Sequence, residues 1–186
     1  MKTLFNIASD YLGIKEVGNN EGFNDPEFAE LMYSAGFKKG DPWCMTFVKV
    51  CVELYLAQIN SGYIKNLRSL NIFNAGSQGT FEKIKKYYPL AIVDKPTGNS
   101  IIIWRKYVNG KPTKYGHGAI INFLNDNLNQ VHTIDGNTNT KGSREGDSIL
   151  EKNRHVDKFT HHGLRFRGYI SIDKLIKLLE DETKRT

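Results

Sequence analysis

Cysteine is scarce in this chain of 186 residues: there are two, Cys44 and Cys51. They lie on one helix-like segment roughly 10.5 Å apart along its face, too far for a disulfide, so a disulfide-stapled fold is excluded. Long apolar runs are missing as well. Nothing approaches the roughly 20 residues that cross a bilayer, and Met1-Lys2-Thr3-Leu4-Phe5-Asn6-Ile7-Ala8-Ser9-Asp10 lacks the apolar core of a signal peptide. The expectation is a cytosolic, soluble protein without stable membrane insertion, so a target outside the membrane would need separate delivery. Acidic residues are outnumbered: 20 Asp and Glu against 26 Lys and Arg give a net charge of +6, which favours anionic partners. No dense Lys/Arg run interleaved with aromatics is present, which argues against nucleic acid and leaves an anionic cell envelope as the better match. Metal-ligand spacing is also missing. His161-His162 reads as a solvated turn, and no metal or other cofactor is expected. There is no internal repeat and no second domain, and the length suits a single domain.

What is present divides into helices followed by strands. Leu4, Phe5, Ala8, Tyr11 and Leu12 have helical spacing over residues 3–13, ending at Gly13. After a Gly/Asn-rich loop, Asp25-Pro26 pairs a capping carboxylate with proline at the first helical position, and Gly36 stops that helix. A third helix runs from Cys44 to about 58. Residues 60–80 read as an irregular connection with room for a short helix, and 81–88 as a helix halted by Pro89. Beyond Pro96 the pattern becomes β: strands at 101–104, 119–123, 130–135 and 164–172, then a closing helix from Ser171 or Asp173 to about 182. This order predicts α+β architecture, N-terminal helices packed on a central antiparallel sheet, in one domain with its core at about 3–172.

Chemistry concentrates at Gly40-Asp41-Pro42-Trp43-Cys44-Met45-Thr46-Phe47-Val48. A turn ends at Cys44, which falls in the first turn of a helix whose apolar face includes Phe47, Val48, Cys51 and Val52. The partial positive charge at a helix N-terminus favours thiolate, the nucleophilic form. Cys51, two turns on, reads as an inert core residue. A cysteine nucleophile requires a base and a group to orient that base. Of five histidines, strand parity selects His117. With residues 124–128 as a hairpin loop, Ile121 faces Val131, Ala119 faces Thr133 and His117 faces Asp135, while His132 points away. Asn137, in Asp135-Gly136-Asn137-Thr138-Asn139, either orders the loop or bonds to the ring. Tyr115, Asn24 and Trp43 are candidate walls of a peptide groove, Trp43 suiting the core equally well.

With these residues in hand, the chain resembles the CHAP family (cysteine, histidine-dependent amidohydrolases/peptidases) of the NlpC/P60-like, papain-like superfamily. The matching segments are Pro42-Trp43-Cys44-Met45-Thr46-Phe47-Val48, Gly116-His117-Gly118-Ala119-Ile120-Ile121 and Ile134-Asp135-Gly136-Asn137-Thr138-Asn139. Tyr11-Leu12-Gly13, Glu21-Gly22-Phe23-Asn24 and Arg165-Phe166-Arg167-Gly168-Tyr169-Ile170 extend the likeness over most of residues 3–172. The chain departs from the pattern in carrying Asp135 where Glu is common, Gly98-Asn99-Ser100 where Gly-Asp is usual, and Met45-Thr46 where alanines often follow the cysteine. The resemblance implies a papain-like fold and a monomeric hydrolase that cuts an amide bond of peptidoglycan through Cys44, His117 and Asp135. The bond is either one in the wall peptide or its link to muramic acid. The implied setting is a phage endolysin or an injected antibacterial effector acting on the wall, the latter with an immunity protein as partner. A protein peptidase or transamidase on the same fold, and an inactive envelope-binding module, are the alternatives.

Overall fold

The computed structural model describes residues 1–60, 62–139 and 146–184. The chain opens with α1 (Leu4–Ser9), a two-stranded ribbon of β1 (Glu16–Val17) and β2 (Gly22–Phe23), α2 (Pro26–Ser34) and α3 (Cys44–Ala57). Then come α4 (Gly62–Ser69), α5 (Ser77–Tyr87), β3 (Ile92–Val93), β4 (Ser100–Val108), β5 (Lys111–Asn125), β6 (Gln130–Thr138), β7 (Ser148–His155), β8 (Leu164–Ser171) and α6 (Ile172–Thr183). The expected caps function as such. Asp25 accepts the Phe28 N–H at the start of α2, Gly36 closes that helix at φ +99°, and Ser171 accepts the Lys174 N–H of α6. The first helix is shorter than its apolar spacing suggests. Gly13 instead donates its N–H to the Ile149 carbonyl (3.0 Å), an edge-strand bond that competes with helix propagation.

Strands β3-β8-β4-β5-β6-β7 form one six-stranded sheet, antiparallel throughout. The N-terminal helices lie on one face, over Ile101, Ile103, Ile120, Ile134 and Ile170. The α+β expectation therefore holds, as helices packed against an antiparallel sheet. On the opposite face Ile102, Trp104, Ala119, Ile121, Val131 and Tyr169 form a second, smaller apolar cluster. The run Ile101-Ile102-Ile103-Trp104 is wholly buried because it sits between both clusters. Strand β7 was not foreseen, and neither were β1, β2 and β3. None of the described helices is long and apolar enough to cross a membrane.

The β5–β6 hairpin corrects the expected register. Strand β5 continues to Asn125, a 3₁₀ turn spans Asp126–Leu128, and Asn129 takes the left-handed conformation that closes the loop. Ile121 consequently pairs with Thr133 rather than Val131, and a bulge separates Ile121 from Phe123. The displacement at Ile121 is two residues. An even shift preserves parity, so His117 and Asp135 still share a face, as diagonal neighbours instead of direct opposites.

Two glycines let α3 approach the sheet. A Cβ on Gly118 would lie 2.2 Å from the Met45 sulfur, and one on Gly136 would lie 2.8 Å from both Cβ and Cδ1 of Phe47. Phe47 is fully buried one turn after Cys44, so it cannot swing aside without moving the helix start. The Gly136→Ala variant is expected to lose about 1–3 kcal/mol of stability through overpacking, measurable as a lower urea midpoint. An unchanged midpoint would show that this approach is not constrained.

Candidate active site

Helix α3 begins at Cys44 with Trp43 as its N-cap, and no side chain caps it, in contrast to α2 and α6. Its orphan amides are available for the sulfur. The N–H groups of Met45 and Gly118 point at the Cys44 thiol, which also hydrogen-bonds with the His117 ring. Burial is the largest influence on Cys44 and pushes its pKa up. The positive charge and hydrogen bond of His117, with the two amides, outweigh it and hold the thiol below its ordinary value. Cys51 has no such company. It is fully buried within the helical core, and desolvation drives its thiol well above the ordinary range. Both cysteines are free.

His117 projects from β5, buried, with its ring 6.0 Å from that of Trp104. Its Nε2 lies 2.6 Å from Asp135 Oδ2 on β6, which leaves Nδ1 as the ring nitrogen for the sulfur. Burial tends to lower the His117 pKa and the Arg154 charge does the same. The Cys44 thiolate and the hydrogen bonds that the ring donates to Asp135 and Cys44 prevail, and the value rises to about 9. A lowered thiol beside a raised imidazole is the condition for a thiolate–imidazolium pair near neutrality.

Asp135 is completely buried and fully engaged. Oδ2 meets both His117 Nε2 and Arg154 Nε (2.5 Å), while Oδ1 accepts the Thr133 hydroxyl at 2.5 Å. Burial alone would raise its pKa. The adjacent guanidinium, the imidazole and the hydroxyl instead hold the carboxyl far below the usual range. Arg154 also donates to Thr138 Oγ1 and lies over the Trp104 ring, 5.6 Å from its centroid.

Sequence reasoning missed Thr133 and Arg154. Thr133 was accessible, since residues two apart on a strand share a face. Arg154 was not, because the apolar residues of β7, Ile149 and Leu150, are adjacent and give no period-two signal.

Cys44 and His117 open onto a cleft of about 940 Å³. Tyr115 and Asn137 line it. Asn137, left-handed at φ +52°, donates from Nδ2 to Asn20 Oδ1 (3.1 Å), so its side chain orders the neighbouring loop. Trp43 and Asn24 are not at the cleft. Trp43 is fully buried, donates Nε1 to Glu16 Oε2 (2.7 Å) and packs edge-on against Phe23, a core role imposed by the size of its ring. Asn24 is exposed beside the Asp25 cap of α2 and is not among the residues that line the cleft. His132 stacks on Phe123 and takes no part.

Comparison with protein-family models, with curated proteins and with solved structures gave no match. The functional reading therefore rests on this geometry.

The two thiols are expected to differ sharply in reactivity. Iodoacetamide at pH 7 should alkylate Cys44 and spare Cys51 in the folded protein, and His117→Ala should slow the Cys44 reaction about tenfold. Peptide mass spectrometry reads both sites. Equal labelling of the two cysteines would contradict the assigned electrostatics.

Proposed function

We propose that this chain is a cysteine amidohydrolase of papain-like, CHAP-type architecture that cleaves an amide bond in peptidoglycan. The observation that carries the reading is the chain of contacts from the helix-terminal Cys44 to His117, both lining an open cleft, and from His117 to Asp135 buried behind it. Each contact supplies what thiol catalysis requires: an activated sulfur, a base within reach, and a carboxylate that fixes the base.

The Cys44 thiolate attacks the substrate carbonyl, forming a carbon–sulfur bond while the carbonyl π electrons move to oxygen. The Cys44 backbone N–H, at the uncapped start of α3, is suited to stabilise that oxyanion. The His117 imidazolium protonates the departing amine as the carbon–nitrogen bond breaks, leaving a thioester. The now neutral imidazole removes a proton from water, which attacks the thioester and returns the sulfur as thiolate. Asp135 holds Nε2 throughout, and Arg154 keeps Asp135 ionised.

The cleft also favours an anionic substrate. Lys106, Lys114, Lys152 and Arg154 line it, with Asp41 as the single acid among the described lining residues. Lys106 and Lys114 make no ion pair among the described residues. Wall stem peptides carry free carboxylates, which these cations would attract. The chain would reach such a substrate after release through the membrane or after injection.

Digestion of purified peptidoglycan, followed by mass spectrometry of released muropeptides, tests the reading and identifies the bond. The Cys44→Ala variant is expected to lose at least about 10³-fold in rate. Undiminished release would eliminate Cys44 as nucleophile. For the wild type, kcat/KM should fall as pH rises through about 9, where His117 loses the proton it must donate. In Asp135→Asn, which replaces the charged acceptor of the hydrogen bond that raises His117 with a neutral one, this alkaline limb should move to lower pH. A limb that does not move would separate Asp135 from the titration.

A further inference from the structure

Beyond the cleft, the connection from β7 to β8 brings together three side chains that sequence spacing did not relate. His155 closes β7, Asp157 follows two residues later, and His161 returns beside them just before β8. One ligand atom from each, two imidazole nitrogens and a carboxylate oxygen, all lie within 4.8 Å of one another. His161 Nε2 is 2.9 and 3.0 Å from the two Asp157 oxygens, and His155 Nδ1 is 4.0 Å from Asp157 Oδ2. We propose that His155, Asp157 and His161 form a binding site for a late first-row divalent metal ion such as zinc, with water completing the coordination. The proposal is independent of the hydrolase reading.

The backbone holds each ligand in place before any metal arrives. His155 pairs with Gln130 across the sheet, and its carbonyl accepts the Trp104 indole N–H at 2.9 Å. The Phe159 N–H donates to Asp157 Oδ1 (2.8 Å) and fixes the carboxylate in a tight turn. His161 and Leu164 exchange two backbone hydrogen bonds of 2.8 Å. Two nitrogens and one oxygen suit zinc and its neighbours better than calcium or magnesium, which require oxygen-rich shells.

Tetrahedral zinc with bonds of about 2.0–2.2 Å sets ligand atoms roughly 3.3–3.6 Å apart. The separations here bracket that spacing. The two rings are stacked, centroids 4.0 Å apart and 13° from parallel, so they must tilt for their in-plane lone pairs to converge. Both side chains are more than a third exposed or close to it (40% and 35%), which leaves room for that rotation and for water ligands. An ion here would tie the loop to β7. Through His155 and Trp104 it would also stiffen the wall that carries Arg154 and packs on His117.

The test is calorimetric titration of the untagged full chain with zinc chloride alone, in a Cys44→Ala background so that the catalytic thiolate cannot supply the site. The expected result is saturation at one ion per chain, with a higher melting temperature in the loaded protein. Asp157→Asn, which preserves shape, and His161→Ala should each weaken binding by at least about tenfold in that background. His162→Ala, which alters a neighbouring histidine on the cleft side, should leave it unchanged. No saturable binding in the Cys44→Ala protein, equal binding in the His161→Ala and Asp157→Asn variants, or loss through His162→Ala would each overturn the assignment.

Discussion

Asp135 is the constraint on which the sheet and the site both depend. A fully desolvated carboxylate is costly, by several kcal/mol, unless its lone pairs are occupied by charged or strongly polar donors. Here the donors come from three strands: Thr133 beside it on β6, His117 on β5 and Arg154 on β7. A slip of any one strand would leave a buried charge without compensation. The network therefore specifies register across the half of the sheet that carries the site, including the bulged hairpin between β5 and β6.

Around that carboxylate the charges are arranged in sequence. Arg154 keeps Asp135 ionised, Asp135 favours a protonated His117, and protonated His117 favours a deprotonated Cys44. The uncapped start of α3 adds to the last effect, and the glycines at 118 and 136 let that helix come close enough for it to operate. The same helix supplies the contrast. Cys51 lies two turns along within the same packed interior, with neither imidazole nor free amides nearby, and burial makes it an inert hydrophobe.

The composition of the cleft follows from its position beyond the edge of the apolar core. Strands β4 and β5 continue past the buried region into segments carrying Lys106, Lys114 and Tyr115, and β7 contributes Lys152 and Arg154. Cationic side chains thus line the same cleft as the sulfur, Lys114 exposed and Arg154 bound to Asp135. That placement links the excess of basic residues to a particular place on the molecule.

Helix starts and stops were legible in the amino-acid order because they depend on neighbours: Asp25 before Pro26, Gly36 after the apolar face, Ser171 before α6. So were the apolar central strand, the position of Cys44 in its helix, and the shared face of His117 and Asp135, which survives any even shift of register. What depended on distant partners was not legible. The early end of α1, the true hairpin register, the burial of Trp43 and the arrival of Arg154 and His155 on an unrecognised strand all result from hydrogen bonds and packing between segments far apart in the chain. Periodicity and capping are local and can be read in order, whereas a buried carboxylate selects its partners only after the strands have assembled around it.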